Sequence, residues 1–217
     1  MIRLFAHRGL AKEKILQNTI ASLNQAHKKG FKAIEFDIWF LAGELFLKHD
    51  RPKKSELKNL PKFCDYLQFK NYFHYWLDFK NLDEENSEAA LKIVKKEIDE
   101  AGISIEQIYF APFITDYKFA GKILAKIRKI FGKKAQLVAV CEELKNFEQI
   151  KFLREFLTKN EIKFLSISHQ FLDQTFVKIF PDIKIFAWTV NDLQRLGELE
   201  VLGVKNFATD KILPKDL

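Results

Sequence analysis

Cysteine is nearly absent from this chain. The two that occur, Cys64 and Cys141, have neither the spacing of a metal-ligand set nor the number of a disulfide framework. Both sit in apolar stretches and read as core thiols in a reducing compartment. No apolar run approaches the length that spans a bilayer. Arg3 is followed almost at once by the first strand, so neither a signal peptide nor stable membrane insertion is expected, and the expected location is cytoplasmic. Eight glycines and five prolines form no linker, low-complexity tract or repeat. None of the glycines builds a dinucleotide-binding loop after the first strand. What remains is 217 residues, 47% of them hydrophobic, which suits one domain over 1–217 with a substantial core. Twenty-two phenylalanines read as bulky core rather than as a ligand platform. The 36 basic and 29 acidic residues leave a formal charge of +7. That balance attracts anions, but the lysines are spread along the chain. Only Lys53-Lys54 and the segment from Lys126 to Lys134 concentrate them, and no nucleic-acid motif is present, so no nucleic-acid partner is expected.

The stretch from Ala33 to Asp50 organises the rest. Ala33 to Phe40 is rich in β-branched and aromatic residues and reads as a strand. Glu35 and Asp37 are two apart, so both carboxylates share one face, roughly 7 Å apart at their Cα atoms. Leu45 to His49 reads as a second strand. The connection is too short for a parallel crossover, so the two pair as an antiparallel hairpin turning at Ala42-Gly43. Leu41 then faces Glu44 and Phe36 faces His49, which returns His49 to the carboxylates.

Along the chain, strand-like and helix-like segments alternate. Ile2 to His7 reads as the first strand, followed by a helix capped by Asn18 or Thr19 and closed by Gly30. After the hairpin come a partly helical Leu57 to Leu67 and a strand from Tyr72 to Lys80. The alternation continues through strands at Ile108, Gln136, Phe164, Lys184 and Asn206, with helices between them, one beginning at Leu144. Counting the hairpin as one barrel strand plus a return arm gives eight strands. The pattern points to α/β class, a (β/α)8 TIM barrel with a β-hairpin extension after strand 2; a doubly wound sheet is the rival.

In such a barrel the site lies at the carboxyl ends of the strands. His7 and Arg8 end strand one, Glu35 and Asp37 lie in strand two, and His49 and Asp50 end the return arm. Asp78 and Lys80 end the next strand. Three carboxylates in one mouth repel unless a cation sits between them, and hard oxygen ligands select Ca²⁺ or Mg²⁺. Two histidines titrating near neutrality suit an acid–base pair. Arg8 and Lys80 suit an anionic phosphate.

These residues, in order, resemble the glycerophosphodiester phosphodiesterases. The family's His-Arg-Gly is matched by His7-Arg8-Gly9, its Glu-Asn-Thr by Gln17-Asn18-Thr19, and its Glu-x-Asp by Glu35-Phe36-Asp37. His49-Asp50 matches a strand ending His-Asp, and Asp78-Phe79-Lys80 a Glu-x-Lys. Trp188-Thr189-Val190-Asn191 and Thr209-Asp210 match the last two motifs. The resemblance implies a divalent cation on Glu35, Asp37 and Asp78, with His7 as base and His49 as acid. It implies cleavage of a glycerophosphodiester to sn-glycerol 3-phosphate and an alcohol through a cyclic phosphate, with Trp188 walling the pocket. Two departures stand out: Gln17 replaces a glutamate, and Asp78 replaces a longer one, shortening the ligand by about 1.5 Å. The family's small inserted domain after His-Asp is nearly absent. Two alternatives follow from these departures: a lysophospholipase D-type enzyme acting on lysophospholipids, and a barrel that binds phosphate esters without turnover. The sequence leaves the oligomeric state open.

Overall fold

The alternating pattern produces eight parallel strands that close on themselves, with helices packed between them. The computed structural model describes residues 2–12, 14–69, 73–113, 117–144 and 146–217. Tyr72, where a strand was expected to begin, and Lys145, inside the helix expected from Leu144, lie outside the described residues.

The strands are β1 (Arg3–His7), β2 (Ala33–Leu41), β3 (Glu44–Leu47), β4 (His74–Phe79), β5 (Ile108–Pro112), β6 (Gln136–Cys141), β7 (Phe164–Ser168), β8 (Lys184–Trp188) and β9 (Asn206–Thr209). Their order is β1-β9-β8-β7-β6-β5-β4-β2-β3, and pairing of β1 with β2 closes the barrel. Among the described strands only β3 is antiparallel. It pairs with the upper end of β2, beyond the point where β1 stops. The helices are α1 (Ile20–Lys28), α2 (Phe63–Tyr66), α3 (Ser87–Ala101), α4 (Tyr117–Phe131), α5 (Phe147–Lys159), α6 (Gln174–Ile179) and α7 (Leu193–Val201). Their starts follow local chemistry. Thr19, Asn146, Asp173 and Asp192 each accept a backbone N–H at a helix N-terminus, satisfying donors the helix itself cannot. Gly102 ends α3 in the left-handed conformation, which glycine adopts without steric cost.

The hairpin register matches the sequence reading at its turn, where Leu41 faces Glu44. It differs at the far end, because the ladder stops at Ile38–Leu47 and Phe36 does not pair with His49. The outer edge of β3 is held instead: the Leu47 N–H donates to the Pro61 carbonyl at 3.0 Å. One more bond in register, the Lys48 N–H to the Asp37 carbonyl at 3.3 Å, precedes the departure of the chain from β2. His49 is fixed by its carbonyl, which accepts the Trp39 indole N–H at 3.2 Å.

The apolar residues divide into two cores. The larger lies between the barrel wall and the helices. The smaller fills the barrel lumen and includes Phe5, Trp76, Val138 and Phe186. Strand register puts these four, from alternate strands, at one height, the layered filling expected of this fold. Their rings meet edge-on or tilted, with centroids 5.0–5.6 Å apart for the three aromatics. The next layer up is Glu35, Ala111, Ser166 and Ala208, all small except the glutamate. Small side chains there leave room above the aromatic plug, and the cleft opens in that space.

Candidate active site

At the mouth of the barrel the local sequence bends the chain in an unusual way. Arg8 and Gly9 both have positive φ, 54° and 74°. A Cβ on Gly9 would stand 2.3 Å from Ser22 Oγ, so only glycine fits against α1 there. The turn aims the Arg8 backbone N–H at Glu35 Oε2, 3.0 Å away. Asn18, also at positive φ (56°), is not the helix cap; Thr19 is. Asn18 instead donates from Nδ2 to Asp37 Oδ2 at 2.7 Å and accepts the Asp37 N–H at 3.1 Å. Asparagine is among the few side chains that tolerate this backbone region. Gln17 accepts a hydrogen bond from the Arg8 guanidinium at 2.9 Å.

Glu35, Asp37 and Asp78 offer oxygens that all lie within 4.8 Å of one another. Two ligands across a Ca²⁺ at 2.3–2.6 Å are about 5 Å apart, so the cluster has the size of one ion's coordination sphere. Glu35 and Asp37 are buried. Two cations already touch the group. Lys80 Nζ lies 2.8 Å from Asp37 Oδ1 and 2.6 Å from Asp78 Oδ2, and Arg8 Nε lies 3.1 Å from Asp37 Oδ2. Lys80 therefore stands among the carboxylates, a position its assignment to phosphate alone did not foresee. Asp78 Oδ1 is buried without a hydrogen-bond donor, and Asp37 Oδ1 meets only the Lys80 ammonium; such oxygens fit a divalent cation. Burial, then the charge of Asp37, pushes the Glu35 carboxyl up to about 7. Burial raises Asp78 to about 6, against the pull of Lys80. Both shifts describe a carboxylate cluster short of positive charge.

His7 projects from the end of β1 with its Nδ1 2.9 Å from Asp210 Oδ1 and its Nε2 3.8 Å from Glu35 Oε2. Burial alone would lower its pKa. The hydrogen bond to Asp210 and the charge of Glu35 outweigh that, and the imidazole sits above its usual value. Asp210 is itself locked: its backbone N–H donates to Asn191 Oδ1 at 2.8 Å, and its Oδ2 accepts from Asn191 Nδ2 at 3.2 Å. His49, half-exposed, has Nδ1 2.8 Å from Asp50 Oδ1. Each histidine is thus held at Nδ1 by an aspartate, which leaves Nε2 for other partners.

One cleft is lined by His7, Arg8, Glu35, His49, Asp78 and Lys80 on one side and by Phe113, Val140, Glu142, Ser166 and Trp188 on the other, with Trp76 and Ala208 below. The residues expected to act as catalysts, metal ligands or substrate contacts all line this cleft except Asp37, which is bonded to Asn18, Arg8 and Lys80. Trp188 donates its indole N–H to Ser166 Oγ at 2.9 Å, which fixes the ring. A larger cleft, about 710 Å³, opens at the other end of the barrel around Arg3, His74, Gln136 and Lys184. It has no matched acid–base pair and no carboxylate cluster, so size does not decide between them. His169 lines neither cleft; its carbonyl anchors Arg195 at 2.7 Å.

Sequence reasoning gave no role in the site to Asn18, Asn191, Asp210 or Ser166. The first three stand inside the quoted motifs, and that was the available signal. Ser166 carried none.

A family model described as the glycerophosphoryl diester phosphodiesterase family matches residues 7–213. Among curated proteins, none matches in sequence. Solved structures of similar fold include a phosphodiesterase from Oleispira antarctica in complex with the product sn-glycerol-3-phosphate, 19% identical, covering 96% of this chain and 92% of that one, with a TM-score of 0.77. A glycerophosphodiester phosphodiesterase from Parabacteroides distasonis is 20% identical over 96% and 92% of the two chains, with a TM-score of 0.75. A calcium-dependent phosphoinositol-specific phospholipase C from Pseudomonas sp is 10% identical over 95% and 87%, with a TM-score of 0.60.

Proposed function

The chain belongs to the glycerophosphoryl diester phosphodiesterase family, a family of phosphoric diester hydrolases, and on that premise we propose that it cleaves a glycerophosphodiester to sn-glycerol 3-phosphate and an alcohol with a divalent cation, Ca²⁺ or Mg²⁺. Glu35, Asp37 and Asp78 would hold the cation, which would neutralise phosphoryl charge and lower the pKa of a nearby hydroxyl. Charge counting supports this. Three carboxylates against Arg8 and Lys80 leave one net negative charge, and a dication with a singly charged diester brings the site to neutrality.

His7 takes the proton from the substrate's glycerol hydroxyl adjacent to the phosphoester. The freed oxygen attacks phosphorus and the bond to the leaving alcohol breaks. His49 gives that alcohol a proton, and a cyclic phosphate remains. Water then opens the ring, with the histidines returning their protons in reversed roles. Asp210 keeps the His7 proton on Nδ1, so Nε2 is the base. Arg8 adds positive charge beside the phosphate, and Lys80, shared with Asp37 and Asp78, keeps the cluster compact. Trp188 walls the organic part of the substrate.

The observation that carries this reading is a pair of aspartate-held histidines on the same cleft as Glu35 and Asp78, which cluster with Asp37, together with the buried Asp78 Oδ1 that has no hydrogen-bond donor. A lysophospholipid is the second reading; the short connection between Asp50 and β4, in place of an inserted domain, favours it by leaving the mouth open. The test is incubation with glycerophosphocholine, glycerophosphoethanolamine and lysophosphatidylcholine, with Ca²⁺, with Mg²⁺ and with chelator. Release of glycerol 3-phosphate, dependent on the cation, is the expected result. Release of lysophosphatidic acid alone selects the second reading. Binding of glycerophosphodiester without turnover points to a phosphate-ester-binding barrel.

A further inference from the structure

The cleft has one charged side chain that the chemistry above does not use. Three carboxylates line it: Glu35, Asp78 and Glu142. Glu35 accepts the Arg8 N–H and Asp78 pairs with Lys80. Glu142 has no hydrogen bond or ion pair with any described residue. It follows directly on β6, and β6 is four strands from β1 in the closed order. In an eight-strand barrel that is the opposite wall, so Glu142 faces His7 and Arg8 across the mouth.

The wall around Glu142 has a definite chemistry. Phe113 and Trp188 supply aromatic rings, Val140 supplies methyls, and Ser166 is engaged by the Trp188 indole. Among the described residues, no lysine, arginine or histidine lines that side. Phe113 already has a cation near its ring, Lys80 Nζ at 5.3 Å from the centroid, but that ammonium is neutralised by Asp37 and Asp78. A polyol placed against this wall would find few hydrogen-bond partners on it. A cationic group would gain an unmatched carboxylate and aromatic faces together.

We propose that Glu142, with Phe113 and Trp188, forms the leaving-group subsite and selects diesters whose alcohol is a cationic amino-alcohol, primary or quaternary, over diesters of neutral polyols. The proposal rests on the phosphodiesterase reading and deepens it. Glu142 is a specificity residue; it takes no part in bond making.

The test compares kcat/KM for glycerophosphocholine and glycerophosphoethanolamine with that for glycerophosphoglycerol and glycerophosphoinositol, in the unaltered protein and in Glu142→Gln and Phe113→Leu. The unaltered protein is expected to favour the cationic pair. Glu142→Gln should lower kcat/KM for that pair by about tenfold, through KM, and leave the polyol pair within about twofold. Phe113→Leu should act in the same direction. Glu142 is exposed and has no partner among the described residues, so its replacement leaves the fold intact, verifiable by circular dichroism. Equal losses on all four substrates, no loss on any, or a preference for the polyols in the unaltered protein would each overturn the proposal. If no diester is cleaved at all, the phosphodiesterase reading fails instead. Calorimetric binding of glycerophosphocholine against glycerophosphoinositol, in both forms, then decides the subsite separately.

Discussion

The two walls of the mouth are built from the same kind of strand end but carry different work. On the wall of β1, β2 and β4, the residues at the mouth are histidine, arginine, glutamate, aspartate and lysine, and nearly every polar atom is bound to another of the group. On the wall of β5 to β8 they are phenylalanine, valine, serine, tryptophan and one solitary glutamate. The first wall balances charge against charge within a few ångströms. The second has one charge and mostly apolar surface. Reaction chemistry belongs where groups are coupled, because a proton moved there is felt by every neighbour. Recognition belongs where they are not, because an isolated contact changes one partner's affinity and little else. Variants on the two walls should therefore fail in different ways.

The sharpest contrast comes from the histidines. His7→Ala and His49→Ala should each lower kcat/KM by about 10²- to 10⁴-fold while calorimetric titration still registers the divalent cation. Substantial turnover in His49→Ala would remove it from the chemistry. Glu35→Ala should do the reverse in binding, weakening the cation by about tenfold or more in the same titration; an unchanged affinity would break the link between the carboxylate cluster and the metal.

Asp210→Asn tests the coupling of the first wall at its seam with β9. Turnover should drop by about 10- to 100-fold. Asp210 helps to raise the pKa of His7, so its loss lowers it. A base must be unprotonated to act, so the acid limb of the pH–rate profile should move to lower pH. An unmoved limb would show that Asp210 does not tune His7.

A smaller effect is thermal. In the cation-free protein the carboxyls of Glu35 and Asp78 have folded values near 7 and 6, above their unfolded ones, so the native state binds more protons than the unfolded state. Stability should then fall as pH rises from about 4 to 7 and level off above that window, a melting-temperature loss on the order of 5 °C. Saturating Ca²⁺ or Mg²⁺ should flatten the slope. A flat profile without added cation would mean the cluster carries no such strain.

The least drastic change is on the second wall. Trp188→Ala should raise KM about tenfold or less with kcat nearly unchanged. A collapse of kcat would move Trp188 to the reacting side and erase the distinction between the walls.

Much of the first wall was legible in the sequence because its parts are close along the chain. Glu35 and Asp37 share a strand face by the period of two. The hairpin returns His49 over a connection too short to do anything else. Asp78 and Lys80 repeat the same-face spacing in the strand that pairs beside β2, and register sets Asp37 directly against Asp78. The eight-strand count followed from alternation alone. Less legible were contacts that depend on side-chain reach. Lys80 was read toward phosphate, yet its ammonium lies between two carboxylates. Asn18 was one of two candidate caps, yet its side chain serves Asp37. The ladder was carried too far toward His49: the last bond in register is the Lys48 N–H to the Asp37 carbonyl, and beyond it the His49 carbonyl turns to the Trp39 indole.

What the chain order alone determined was which residues could share a strand face, and hence which charges gather at one rim. Only closure of the barrel decided that Asp210 holds His7. The two are 203 residues apart, and no local period relates them. They meet because β9 pairs with β1 after the six intervening barrel strands have each turned the sheet by the same hand. Closure likewise set Glu142 across the mouth from Arg8. Distance along a strand is fixed by its bonds, whereas distance across a barrel is fixed by how many strands complete the circle.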